Sequence, residues 1–126
     1  MTGKIQSYRD LLIWQQSMDL VSETYALIKS WPKEELFGLT SQVRRASVSI
    51  PANIAEGYGR ESRASYQNFL RIAQGSLKEV ETLLLVAVRI DIETKERIEP
   101  HMRQCESVGK LIRLLVRKLD EGRSVT

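Results

Sequence analysis

Cysteine occurs once, at Cys105, which excludes an internal disulfide and fits a chain kept in a reducing cytoplasm. Proline and glycine are scarce, at 3 and 7 residues in 126, too few for the turns of a β-sandwich. Around the one histidine no credible Ser/His/Asp or Cys/His set can be drawn. The longest apolar run, Leu83 to Val88, falls far short of the roughly 20 residues that cross a bilayer. The N-terminal Met1-Thr2-Gly3-Lys4-Ile5-Gln6 lacks the apolar stretch of a signal peptide. Sustained period-two alternation is missing as well, so no strand is expected.

What remains is ordinary for a globular protein: 42% hydrophobic and 28% charged residues. A chain of this length makes one domain, 1–126, with a core large enough to need no staples. Its net charge is +3, which permits an anionic partner. Basic residues crowd the C-terminal part, where Arg103, Lys110, Arg113, Arg117, Lys118 and Arg123 face Glu106, Asp120 and Glu121.

Four segments carry helical periodicity, at about 10–29, 39–56, 62–89 and 95–120. In the first, Trp14, Met18, Val21, Tyr25 and Ile28 are spaced to share one face, and Ser7 or Asp10 can cap its start. Trp31-Pro32 stops it, and Pro32-Lys33-Glu34-Glu35 reads as a short helical turn. The second has the stripe Leu39, Val43, Ala46, Ile50 and Ile54, an internal Pro51 that should bend it, and Gly57 and Gly59 as left-handed caps. The third begins at Ser62 and carries Tyr66, Leu70, Ala73, Leu77, Val80, Leu84 and Ala87, widened by Phe69, Ile72, Leu83 and Val86. In the fourth, Cys105, Val108, Ile112, Leu115 and Leu119 form the inner face, ending near Asp120 with Gly122 beyond. Its start is open: Thr94 can cap it with Pro100 inside, or Glu99-Pro100 can restart it. Four amphipathic helices on short connections predict an all-α, up-and-down antiparallel four-helix bundle.

Candidate chemistry is sparse. His101 and Cys105 have metal-ligand spacing but lack a third ligand, so no metal and no cofactor is expected. The Glu-x-x-His motif of di-metal bundles is missing, and no catalytic residue is assigned. Gly57-Tyr58-Gly59-Arg60 has neither the preceding strand nor the Lys-Ser/Thr of a phosphate loop. Asn53, Glu56 and Arg60 form a candidate structural network: Asn53 is placed to serve the carbonyl that Pro51 leaves without a donor, and Glu56 to accept from Arg60, or from Arg44 or Arg45 of a neighbouring copy. Two basic groups are candidates for a nucleic-acid backbone: Lys110, Arg113 and Arg117 along the fourth helix, and Arg44, Arg45, Arg60 and Arg63, with Arg71, around the second and third. The first group is the preferred track, because the apolar face opposite turns it outward. No base-reading motif accompanies either group.

The string from Pro32-Lys33-Glu34-Glu35-Leu36-Phe37-Gly38 through Gln42-Val43-Arg44-Arg45-Ala46, then Ser49-Ile50-Pro51-Ala52-Asn53-Ile54-Ala55-Glu56-Gly57 and Arg60, has a family look. Leu11 to Gln15 lies upstream, and Phe69-Leu70, Ala73, Gly75-Ser76 and Glu79 lie downstream. Together they resemble the bacterial four-helix-bundle proteins encoded in intervening sequences of 23S ribosomal RNA genes. The resemblance spans roughly Tyr8 to Ile90. It implies a bundle that assembles as a ring of five, without known catalysis. A related family, the accessory protein of diversity-generating retroelements, is a similar pentameric bundle that partners a reverse transcriptase and binds nucleic acid. The expected function is therefore a non-enzymatic homo-oligomeric assembly module, binding RNA or a nucleoprotein partner through its basic groups. The alternative is a pure protein–protein interaction scaffold.

Overall fold

A computed structural model describes residues 4–124, with side chains to residue 121. Met1 to Gly3, Val125 and Thr126, and the side chains from residue 122 onward, lie outside that description. Four helices carry the fold: α1 (Leu12–Ile28), α2 (Leu39–Tyr58), α3 (Arg63–Arg89) and α4 (Lys95–Ser124). They run up and down as an antiparallel bundle. Each helix packs on two neighbours, α1 on α2 and α4, and α3 on α2 and α4.

The N-terminal approach differs from the expected helix start at Asp10. Residues Tyr8–Asp10 form a separate 3₁₀ turn, in which Ser7 accepts from Arg9 N–H and the Asp10 carboxylate accepts from Ser7 N–H. Both expected caps are therefore used, but on this turn; α1 itself starts at Leu12 without a side-chain cap. The inner face of α1 also differs. Of the expected face Ile28 is buried and Trp14 packs on the core, but Ile13, Ser17, Leu20, Thr24 and Leu27 are buried as well, whereas Met18 and Tyr25 are 42% and 41% exposed. The stripe is rotated by one residue because Ser17 and Thr24 turn their hydroxyls onto carbonyls of their own helix, Trp14 O at 2.9 Å and Leu20 O at 2.7 Å. With those groups satisfied, two small side chains enter the core without an unpaired polar atom.

In α2 the stripe Leu39, Val43, Ala46, Ile50 and Ile54 is buried as the periodicity predicts. Pro51 lies inside the helix and is buried. The glycines end nothing in left-handed geometry. Gly57 is within the helix, and Gly59 follows it at φ −79°. Gly57 instead permits close approach: a β-carbon there would sit 2.8 Å from Phe69 Cβ and 3.2 Å from Tyr66 O. α2 thus presses onto α3 at backbone distance.

Ser62 caps α3, accepting from Ser65 N–H at 3.0 Å. The expected α3 stripe is buried from Leu70 to Ala87, while Ile72 and Val86 stay partly exposed. A left-handed turn closes α3, and its left-handed residue is Asp91 at φ 65°. Asp91 N–H bonds Val88 O and Ile92 N–H bonds Ala87 O, the paired bonds that cap a helix C-terminus. α4 then starts at Lys95, with Thr94 accepting from Arg97 N–H and Pro100 inside. It continues past the expected end at Asp120 through Gly122. Ile98, Cys105, Val108 and Ile112 are its buried apolar side chains, and Leu115 and Leu119 of the expected face are half-buried against the core.

Candidate nucleic-acid interface

Register between α3 and α4 decides which basic residues meet. Gln67, almost wholly buried near the start of α3, donates to Val116 O at 3.1 Å and to the Asp120 carboxylate at 2.7 Å. This pin sets the first turns of α3 beside the last turns of α4. One turn further along, Arg71 and Gln74 of α3 face Arg113 and Arg117 of α4 across an open groove of about 290 Å³, with Ile112, Val116 and Asp120 completing its lining. Gly109 helps to shape the wall: a β-carbon there would lie 3.6 Å from an Arg113 amine nitrogen and 3.7 Å from Gln74 Oε1. That Gln74 oxygen is buried and has no hydrogen-bond partner among the described residues.

Two residues of the fourth-helix group, Arg113 and Arg117, are therefore brought together. Lys110 is exposed on the same helix but does not line the groove. Arg71 joins them from α3; spacing along one helix could not reveal it, because it depends on the α3–α4 register that core packing and the Gln67 contacts set.

The second basic group is dispersed. Arg44 is half-buried, with its guanidinium 5.7 Å from the Tyr25 ring centre. Arg45 reaches the Ser41 hydroxyl at 3.4 Å and borders a small polar recess with Ser49, Ser76 and Glu79. Arg60 lies 4.7 Å over Phe69 and pairs with Glu56 at 2.8 Å. Arg63 is exposed in the first turn of α3.

The polar set of Asn53, Glu56 and Arg60 divides in two. Asn53 Nδ2 donates to Ser49 O at 2.8 Å and Ser49 Oγ at 2.9 Å, and Ser49 Oγ meets Ser76 Oγ at 2.8 Å across to α3. It does not serve the Ser47 carbonyl that Pro51 frees. Glu56 and Arg60 make their own exposed pair one turn on. Among the described residues no hydrogen bond joins the two halves.

His101 bonds through Nε2 with Glu23 O at 3.0 Å, tying α4 to α1. Cys105 is fully buried, and burial, with the nearby Glu81 charge, pushes its thiol up to about 12. Among the described residues no three His, Cys, Asp or Glu side chains are grouped to hold a metal ion. No helix among them is long and apolar enough to cross a membrane.

A solved structure shares this architecture: a protein of unknown function from the S23 ribosomal protein family of Bacteroides thetaiotaomicron VPI-5482. It superposes with a TM-score of 0.74 at 25% identity, covering 83% of this chain and 98% of that one. No curated protein matches the chain. The 23S rRNA-intervening sequence protein family matches over residues 9–113, from the 3₁₀ turn to Arg113 of the groove, and the chain belongs to that family.

Proposed function

We propose that this protein is a non-enzymatic assembly module, associating with its own copies into a ring of five and holding RNA, or an RNA-bearing partner, by its phosphates. The observation that carries the nucleic-acid part is the convergence of Arg71, Arg113 and Arg117 on one groove. A guanidinium presents a planar fork that matches two phosphate oxygens. None of the three takes part in an ion pair among the described residues, and Asp120 beside them is engaged by Gln67. A net charge of +3 is modest for one chain. Repetition of the groove around an oligomer raises avidity by roughly 10²–10⁴ where several sites engage one strand. Contacts of this kind read phosphates, so binding is sequence-tolerant. The setting we infer is cytoplasmic, where a lone thiol stays reduced.

Titration of labelled single-stranded and duplex RNA at about 50 and 200 mM salt tests this reading, since phosphate-driven affinity collapses over that range. The triple change Lys110→Glu, Arg113→Glu, Arg117→Glu should abolish binding with helicity and oligomer size unchanged. Absence of binding at the lower salt, or binding indifferent to salt and to the triple change, would overturn it. The protein-scaffold reading would then lead. It is favoured by one observation: Arg44 and Arg60 are spent on Tyr25, Phe69 and Glu56 of their own chain.

A further inference from the structure

Phe37 is 93% exposed, with Leu36 beside it at 40%. Isolated exposed apolar residues are common, but a phenyl ring held almost wholly in water forgoes one of the largest apolar contributions a side chain can make. The segment that carries it is ordered. Glu35 N–H bonds Pro32 O, Leu36 N–H bonds Lys33 O and Gly38 N–H bonds Glu35 O, each at 3.0 Å. The Glu35 carboxylate also accepts from Leu39 N–H at 3.2 Å, fastening the turn to the start of α2. Phe37 is thus displayed on a preformed turn, which lowers the entropy lost when it is covered.

An unfilled counterpart exists on the same molecule. An open groove of about 650 Å³ runs along the outer seam of α3 and α4, lined by Thr82, Leu85, Val86, Val88, Arg89, Lys95 and Ile98. Leu85 is 52% and Val86 39% exposed there. Its charged rim, Arg89 and Lys95, is basic and forms no ion pair among the described residues. The turn that bears Phe37 carries Glu34 and Glu35 against one base, Lys33, and is net acidic. An acid-flanked apolar knob and a base-rimmed apolar groove are complementary in both respects.

Within one chain the two do not meet, since Phe37 is left in water. Helix direction alternates, so the α1–α2 turn and the α3–α4 turn share one end of the bundle. The hydrogen bond from Trp31 to Glu93 joins the roots of the two turns. Knob and groove therefore both lie toward that end of the bundle. A head-to-tail contact of this kind closes into a ring when its rotation divides the circle, with little translation along the axis.

We infer that Phe37 of one copy seats in the Leu85–Val86–Ile98 groove of the next, with Glu34 facing Arg89 and Lys95. The inference rests on the self-assembly reading above and supplies its interface. Two chains test it, one carrying Phe37→Cys and the other Leu85→Cys, with the buried Cys105 retained. Treated with a short bis-maleimide, the co-expressed pair should give a covalent mixed dimer, and neither variant alone should cross-link. Light scattering completes the test: Phe37→Glu should raise the concentration of half-dissociation at least about thirtyfold, as a central interface residue does. Its helical circular dichroism should stay unchanged, because the side chain touches little within its own chain. A wild-type protein that is monomeric at every micromolar concentration overturns this contact and the assembly reading together. A wild-type oligomer that survives Phe37→Glu, or Phe37→Cys chains that cross-link to one another, overturns this contact alone.

Discussion

Trp31 Nε1 donates a 2.9 Å hydrogen bond to Glu93 Oε1, 62 residues away. The carboxylate is 6% exposed, and its other oxygen accepts from Thr94 N–H at 3.0 Å and pairs with Arg97 at 3.3 Å. Arg97 in turn reaches Ser30 Oγ at 3.1 Å and Leu27 O at 3.4 Å. The two turns at this end are thereby locked by one buried acid. Trp31→Phe removes a hydrogen bond to a charged acceptor and should lower stability by about 1.5–3 kcal/mol. Urea unfolding followed by circular dichroism measures it; an unchanged midpoint would show that the bond carries no net weight.

Two glycines should respond oppositely to alanine. At Gly57 the new β-carbon meets Phe69 Cβ at 2.8 Å, and the nearby Tyr66 carbonyl is backbone that cannot rotate away. Separation of α2 from α3 should cost about 1–3 kcal/mol, exceeding alanine's helical advantage of roughly 0.5–1 kcal/mol. At Gly75, also inside a helix, nothing lies within 4 Å, so Gly75→Ala should gain that advantage in full. Melting curves of the two variants against wild type decide both signs.

The contrast between these glycines shows where sequence pattern stops informing. Apolar spacing located α2 and α3 well, because Val43, Ile50, Ile54, Leu70, Leu77 and Leu84 are large residues whose burial dominates. It misplaced the α1 face, where Ser17 and Thr24 count as polar in any pattern yet lie in the core, and where Met18 and Tyr25 lie outside. Gly57 resembles a terminator in sequence; its packing role depends on a partner helix. At the candidate site, Arg113 and Arg117 stand one turn apart and are visible in the sequence. Arg71 joins them only through an interhelical register held by Gln67, which no spacing along one helix encodes.

Alkaline pH should weaken the fold through Cys105. Its thiol is raised from 9.0 to about 12 chiefly by burial, so the folded chain keeps a proton that the unfolded chain releases. The unfolded state then binds fewer protons, and stability falls as pH rises from about 9 toward 12, by up to about 1.4 kcal/mol per pH unit. Tyr66, raised from 10.0 to about 12 by burial and then by Tyr58, acts in the same direction. Cys105→Ala loses packing at every pH but should show a shallower decline across this window. Urea midpoints at several pH values for both proteins provide the comparison, and parallel curves would remove Cys105 from the account.

Single alanine substitutions should rank the arginine groove above its neighbour on α4. Arg71, Arg113 and Arg117 line one concavity, so a phosphate seated there lies in the field of all three. Lys110 is exposed on α4 outside that lining and meets the backbone of a bound strand only as a separate point charge. Arg71→Ala should therefore weaken RNA binding more than Lys110→Ala, and should lower the slope of log affinity against log salt by about one for each phosphate it no longer neutralises. Arg71 is exposed and makes no ion pair among the described residues, so the fold should not change. Salt titrations of the two variants, with circular dichroism as the control for folding, give the ranking directly. Equal losses from Arg71→Ala and Lys110→Ala would mean a diffuse basic surface, and a larger loss from Lys110→Ala would return the track to the outer stripe of α4.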